Sequence, residues 1–250
     1  NNWEESFYRL LLKSFGLNIN GEAFYEISNK LPLNIIRKEQ TNLMHLEALF
    51  IGTANLLVSE SEDFYYNTLR KTYNYLQQKY NLQQLVKAPS FYKSRPDNFP
   101  TIRLVQFASF IHHQPFLFDL IRNPESISSN NHLLGAKVSD YWKTHYVFGK
   151  EHGSKSKFVS QTFYELLLIN TILPFQYVYH QQVGSDVIEE VLQHYQSINT
   201  EKNSTTEMFK KLLVPVKSSL DSQSLLFLKK NYCDLKRCLN CEIGIKLMIR

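Results

Sequence analysis

The chain has 250 residues, of which 43% are hydrophobic, 20% charged and 14% aromatic. That length and composition suit one large domain or two small ones with a substantial core, and exclude collagen, low-complexity disorder and a disulfide-stapled miniprotein. The formal net charge is +5. Residues 1–200 carry 18 Lys+Arg against 18 Asp+Glu, whereas 201–250 carry 10 against 5, so the basic excess belongs to the last fifth of the chain.

Glycine is scarce, at 8 of 250, less than half its usual share of about 7%. Accordingly there is no GxGxxG, no GxxxxGK[ST], no HExxH and no GxSxG, which removes the common phosphate loops, zincins and hydrolase elbows. No apolar stretch approaches the ~20 residues that cross a bilayer, and residues 1–5 do not resemble a signal peptide. The chain also lacks an initiator Met, so it reads as part of a longer protein. Three cysteines within nine residues are not a secreted disulfide framework. These features point to a reducing, cytoplasmic setting without a membrane partner; they do not set an oligomeric state.

Apolar periodicity is helical almost throughout. Trp3 to Phe15 forms a first helix, with Gly16 as its stop and Asn20 as the cap of a second, Gly21 to Lys30, ended by Pro32. Asn42 to Val58 is apolar on nearly every side and should be central and buried. In Glu62 to Tyr80, Tyr66, Leu69, Tyr73, Leu76 and Tyr80 make a heptad seam for a packing partner within the chain. Residues 81–99, with Pro89 and Pro96, read as loop; Pro100 to His113 is a helix with Pro in its first turn. Pro115 to Ile121 and Ser139 to Val147 read as short helices. The glycine- and lysine-rich stretch 149–157 is the one flexible loop. Phe158 to Leu173, Ser185 to Ile198, Thr205 to Leu213, Asp221 to Tyr232 and a tail from Lys236 to Arg250 complete the helices. The expectation is an all-α fold, one compact multi-helix domain over 1–250 with little or no β.

Three places could carry function. On a helical wheel Glu47 shares the apolar stripe of Leu43, Phe50, Ile51, Ala54 and Val58. A carboxylate there must be protonated, with a raised pKa, or paired. Arg95 and Arg103 are the candidate partners. Arg103 falls in the first turn of the Pro100 helix, where the dipole disfavours a cation, so either Glu47 or an external anion such as phosphate should sit beside it. Arg95, Asn98, Arg103 and Glu47 are therefore a structural or anion-binding group; no residue is assigned a catalytic role.

Cys233, Cys238 and Cys241 have C-x4-C-x2-C spacing, three of the four ligands of a zinc or iron–sulfur site, with buried reduced thiols as the ordinary alternative. No cofactor is otherwise expected. The histidines His112, His113, His145, His152 and His180 have no ligand-like i, i+4 partner. Lys150, Lys155 and Lys157, with Lys229, Lys230, Lys236 and Arg237, are a candidate basic patch for nucleic acid.

Several blocks resemble an uncharacterised bacterial family known only as a domain of unknown function. They are Glu47 to Leu57, the Arg95-to-Arg103 RPxNFPTIR segment, Tyr141 to Gly149, Asp221-Ser222-Gln223 and the Tyr232-to-Gly244 YCxxxRCLxC segment. At Asn55 the family pattern more usually has Gly. The resemblance implies an N-terminal region, loosely similar to restriction-endonuclease-like folds, that would hold any nuclease chemistry and be this chain's partner. The sequence thus reads first as a non-catalytic helical module accessory to that region and contacting nucleic acid. A metal-binding module on the three cysteines, and a small-molecule enzyme using Glu47 and the arginines, are the alternatives.

Overall fold

The computed structural model describes residues 2–114, 116–123 and 137–248. Among them helix dominates, with one small two-stranded sheet. No described helix is long and apolar enough to cross a membrane. The chain divides into two units, Asn1–Val183 and Gly184–Arg250.

In the first unit, α1 (Trp3–Phe15) starts at Asn2, whose side chain accepts the Glu5 N–H at 3.1 Å, and buries Phe7, Tyr8, Leu11, Leu12 and Phe15. Gly16 is right-handed, with φ −71°; the left-handed turn falls on Leu17, at φ 53°. Gly16 is needed for close approach instead, because a Cβ there would lie 2.6 Å from the Asn20 backbone. α2 (Leu17–Lys30) therefore begins before the predicted cap. Asn20 is buried, donating to Ser90 O (2.9 Å) and accepting from Ser90 N (2.7 Å), which ties the 81–95 connection down.

After the short α3 (Leu33–Glu39), α4 (Leu43–Thr53) is capped by Asn42 and buries every residue from Leu46 to Thr53. It ends five residues earlier than predicted. Asn55 turns left-handed at φ 61°, a conformation that Gly and Asn both accept. α5 (Phe64–Tyr80), capped by Asp63, packs on α4 and buries four of the five predicted seam residues, Tyr66, Leu69, Tyr73 and Leu76; the fifth, Tyr80, is half-buried and donates to Glu39. The contact is close: a Cβ on Gly52 would fall 2.2 Å from the Tyr73 ring.

α6 (Pro100–His113) has its predicted bounds and is buried from Pro100 to Ile111. Its Phe107 meets Phe15 and Phe50 edge-on at 5.0 and 5.2 Å between centroids, making the core of the unit. α7 (Asp119–Arg122) follows; Pro115 of the predicted helix lies outside the described residues.

The 139–157 region departs most from expectation. Instead of a helix there is a 3-10 turn, Asp140–Lys143, then β1 (His145–Val147) paired antiparallel with β2 (Lys150–Glu151). Gly149, at φ 68°, makes the turn between them. Strands of three and two residues are too short for an alternating pattern to register. α8 (Gln161–Leu167) then passes through a π-helical turn, Leu168–Ile172, into α9 (Leu173–Gln182). Pro174 does not end this helix as predicted; the wider turn just before it makes room for the proline ring and tolerates its missing N–H donor.

The second unit holds α10 (Ile188–Ser197), α11 (Ser204–Lys211), α12 (Ser219–Leu228) and α13 (Glu242–Met248). Its apolar core is small, Val191 and Ile198, and buried hydroxyls do much of the joining. Ser219 Oγ donates to Tyr195 O (2.7 Å), and Ser222 Oγ accepts from Glu201 N (3.1 Å). Capping boxes Asn203/Thr206 and Ser218/Asp221 start α11 and α12. Ile249 and Arg250 of the predicted tail helix lie outside the described residues.

Candidate functional site: a cationic cleft beside α6

Arg95, Asn98 and Arg103 come together as the sequence suggests, but without Glu47. Pro96 and Pro100 stiffen a 3-10 turn (Pro96–Asn98) that leads into α6. Arg103, one turn into α6, folds back on that turn. Its Nη2 donates to Asn98 Oδ1 (2.5 Å), its Nη1 to Gln106 Oε1 (2.8 Å), and its Cζ stacks 3.5 Å over the Phe163 ring. Gln106 is fixed in turn by donating to Phe158 O (3.2 Å).

These groups line a cleft of about 480 Å3 with Arg95, Asp97, Lys155 and Lys157. Four cations thus face one carboxylate, and that carboxylate is engaged. Lys155 Nζ reaches both Asp97 oxygens at 2.9 Å, and Tyr146 also donates to it. Burial raises the Asp97 pKa, but Lys155 and Tyr146 prevail and hold it below the usual range.

Two of the cations are buried. Arg103 is 6% exposed and Lys157 4%. Among the described residues neither has a carboxylate within ion-pair distance. Arg103 Nε is buried without a hydrogen-bond partner. Burial pulls the Arg103 pKa down to about 10, with Asp97 only partly opposing it. Lys157, predicted to be a solvated lysine of a flexible loop, points inward. It donates to Trp142 O, to His145 O (3.0 Å) and to His152 Nε2 (2.8 Å), and lies 4.1 Å over the Tyr146 ring. Burial pulls its pKa down to about 8. All three of its protons are directed at protein acceptors, so it offers the cleft charge rather than a donor. Arg103 keeps a second N–H on each Nη as well as Nε.

Glu47 is 0% exposed and sits elsewhere in the first unit. The expected arginine is replaced by three neutral donors: Tyr65 OH, Ser139 Oγ (2.8 Å) and Trp142 Nε1 (3.2 Å). Burial raises its pKa, and these hydrogen bonds oppose the rise without cancelling it. Beside it, Tyr65 stacks on Tyr141 at 4.4 Å, and Tyr141 OH and Gly149 N both donate to the Asp63 carboxylate. The cluster is hydrogen-bonded throughout and pins the 139–149 segment to α4 and α5.

The remaining candidates fall in both units. Lys150 is exposed on β2. Lys229 pairs with Asp234 at 2.6 Å, and Lys230, Lys236 and Arg237 are exposed in the second unit. The cysteines are not buried thiols: Cys233 and Cys238 are exposed and Cys241 half-exposed. Cys238 lies in a 3-10 turn and Cys241 beyond it in extended backbone, so they do not share a helix face. Among the described residues no three His, Cys, Asp or Glu side chains gather to hold a metal ion.

Sequence reasoning missed Gln106 and the inward turn of Lys157. Gln106 carried a signal, being three residues from Arg103 on the same helix face. Lys157 carried none.

Residues 1–204 match the family model described as Protein of unknown function (DUF2851). The chain belongs to that family. The cationic cleft and the Glu47 cluster lie within the matched residues, and the cysteine block lies beyond them. No curated protein and no solved structure matches the chain.

Proposed function

We propose that this chain is a binding module whose first unit holds an oxyanion of the phosphate class in the cleft formed by Arg95, Arg103, Lys155 and Lys157. One observation carries the reading: two buried cations line the same cleft with no carboxylate of their own. Removing a charge from water costs several kcal/mol unless an opposite charge compensates it, and a bound dianion would supply that compensation. The donors for it are the spare N–H groups of Arg103, together with Arg95 and the hydroxyls of Ser156 and Ser160 at the rim.

The test is calorimetric titration with inorganic phosphate and with sulfate, at ionic strength held constant with chloride. Saturable binding that is lost in Arg103→Gln and weakened in Lys157→Met supports the reading. A heat that chloride reproduces, or that Arg103→Gln retains, overturns it. A short single-stranded oligonucleotide forms a further arm. Competition with phosphate that weakens steeply with salt would identify nucleic acid as the carrier, because phosphate contacts release counterions.

A further inference from the structure

The cleft does not end at its cations. Leu17 and Leu166 line both it and a larger groove, of about 1180 Å3, between α1–α2 on one side and α8–α9 on the other. The groove is edged by Leu10, Ile19, Leu166 and Val178, all exposed in the described structure. Exposed aliphatic residues standing singly need no explanation, but a contiguous set along a groove marks a binding surface.

Apart from Asn18, the polar side chains of the groove are already engaged. Lys13 pairs with Glu22 at 2.7 Å. Ser14 Oγ lies 2.6 Å from Thr171 Oγ1 and 3.0 Å from Leu10 O, and Asn170 Nδ2 donates to Leu166 O (3.0 Å). The groove therefore offers mainly hydrocarbon contact, whereas the cleft joined to it has four cations against one carboxylate. We infer that the ligand is an amphiphile, with a phosphate-class head group against Arg103 and an apolar tail along the α1–α2/α8–α9 groove. This rests on the oxyanion reading of the cleft and adds the tail.

The experiment titrates the whole chain with inorganic phosphate and with butyl, octyl and dodecyl phosphate, each below its micellar concentration. Expected is an affinity that rises about two- to fourfold per methylene until the groove is filled, from the transfer free energy of a CH2 group. Val178→Asp and Ile19→Asp, both exposed positions, should flatten that series and leave inorganic phosphate binding unchanged. Equal affinity for all chain lengths overturns the tail while the head-group reading stands. Failure of inorganic phosphate and of every alkyl phosphate to bind overturns both. An octyl glucoside that binds as well as octyl phosphate overturns the joined site. So does a 5′-phosphorylated oligonucleotide that binds more tightly than octyl phosphate, or a phosphate-independent dimer that covers the groove.

Discussion

Replacing Arg103 with methionine removes a buried charge while keeping an unbranched side chain over Phe163. Holding the Arg103 pKa down at about 10, well below the ordinary guanidinium value, corresponds to about 3 kcal/mol against the charged form in the folded state. Against this, the bonds from the charged guanidinium to half-exposed Asn98 and to Gln106 return about 1.5 to 2 kcal/mol each, and the stacking on Phe163 about 1 kcal/mol. The second side is the larger by about 1–2 kcal/mol, so Arg103→Met should destabilise the first unit by about that much in sulfate-free buffer. Removing one member of a buried ion pair would instead cost about 3–5 kcal/mol. Ligand reverses the comparison. At a sulfate concentration of about 100 times its Kd, wild type should gain about 2.7 kcal/mol and Arg103→Met nothing beyond the general salting effect of sulfate. Urea unfolding of both proteins, with and without sulfate, reads both quantities. A variant destabilised by 3 kcal/mol or more without sulfate, or stabilised by sulfate as much as wild type, would refute the reasoning.

Lys157 is charged below its folded pKa of about 8 and neutral above it, so sulfate affinity should be level up to about pH 7 and fall as pH rises through 8. Sulfate itself does not titrate there, and Lys157→Met should give a weak, flat profile; an unchanged wild-type affinity at pH 9.5 would contradict this. Glu47→Leu removes the acceptor shared by Tyr65, Ser139 and Trp142; Tyr65 OH and Ser139 Oγ, 2.8 Å apart, can still bond each other, so two donors are left unmet, which at about 1–3 kcal/mol for each should destabilise the first unit by at least about 2 kcal/mol in urea. Because burial raises the Glu47 pKa, the folded state holds that proton more tightly than the unfolded state does. Its contribution is therefore full below the ordinary carboxyl value of 4.5 and diminishes as pH rises through the raised folded value. Glu47→Gln should flatten that part of the stability–pH curve, and an unaltered slope would count against a raised pKa. Gly52→Ala drives a Cβ into the Tyr73 ring and should lower the unfolding free energy, read from urea curves, by about 1–3 kcal/mol of overpacking; a neutral result would mean that α4 and α5 separate easily.

The elements that the sequence made legible are those whose signals are local. α6 keeps its bounds because Pro100 pre-sets its first turn and the apolar residues after it recur at helical spacing. The α5 seam shows because its spacing of three and four survives the tyrosines. Gly16 was legible as a break but not in its role, since the left-handed residue is its neighbour Leu17 and the glycine serves an approach to Asn20. The wheel placed Glu47 in the core correctly but could not name its partners, because Ser139 and Trp142 lie 92 and 95 residues away. Lys157 failed for the same reason. In a Gly-Ser-Lys stretch it looks solvated, and only folding brings the Trp142 and His145 carbonyls to its ammonium. Arg95, Asn98 and Arg103 were found together because two prolines hold them within nine residues of chain.

The most direct measurement follows the Lys157 side chain itself, by NMR of its 13Cε resonance, assigned with Lys157→Met, through a pH titration with and without sulfate. A midpoint near 8 in sulfate-free buffer that moves upward when sulfate is added is expected of an ammonium held beside a cleft that takes up an oxyanion. The same midpoint in both titrations would contradict it.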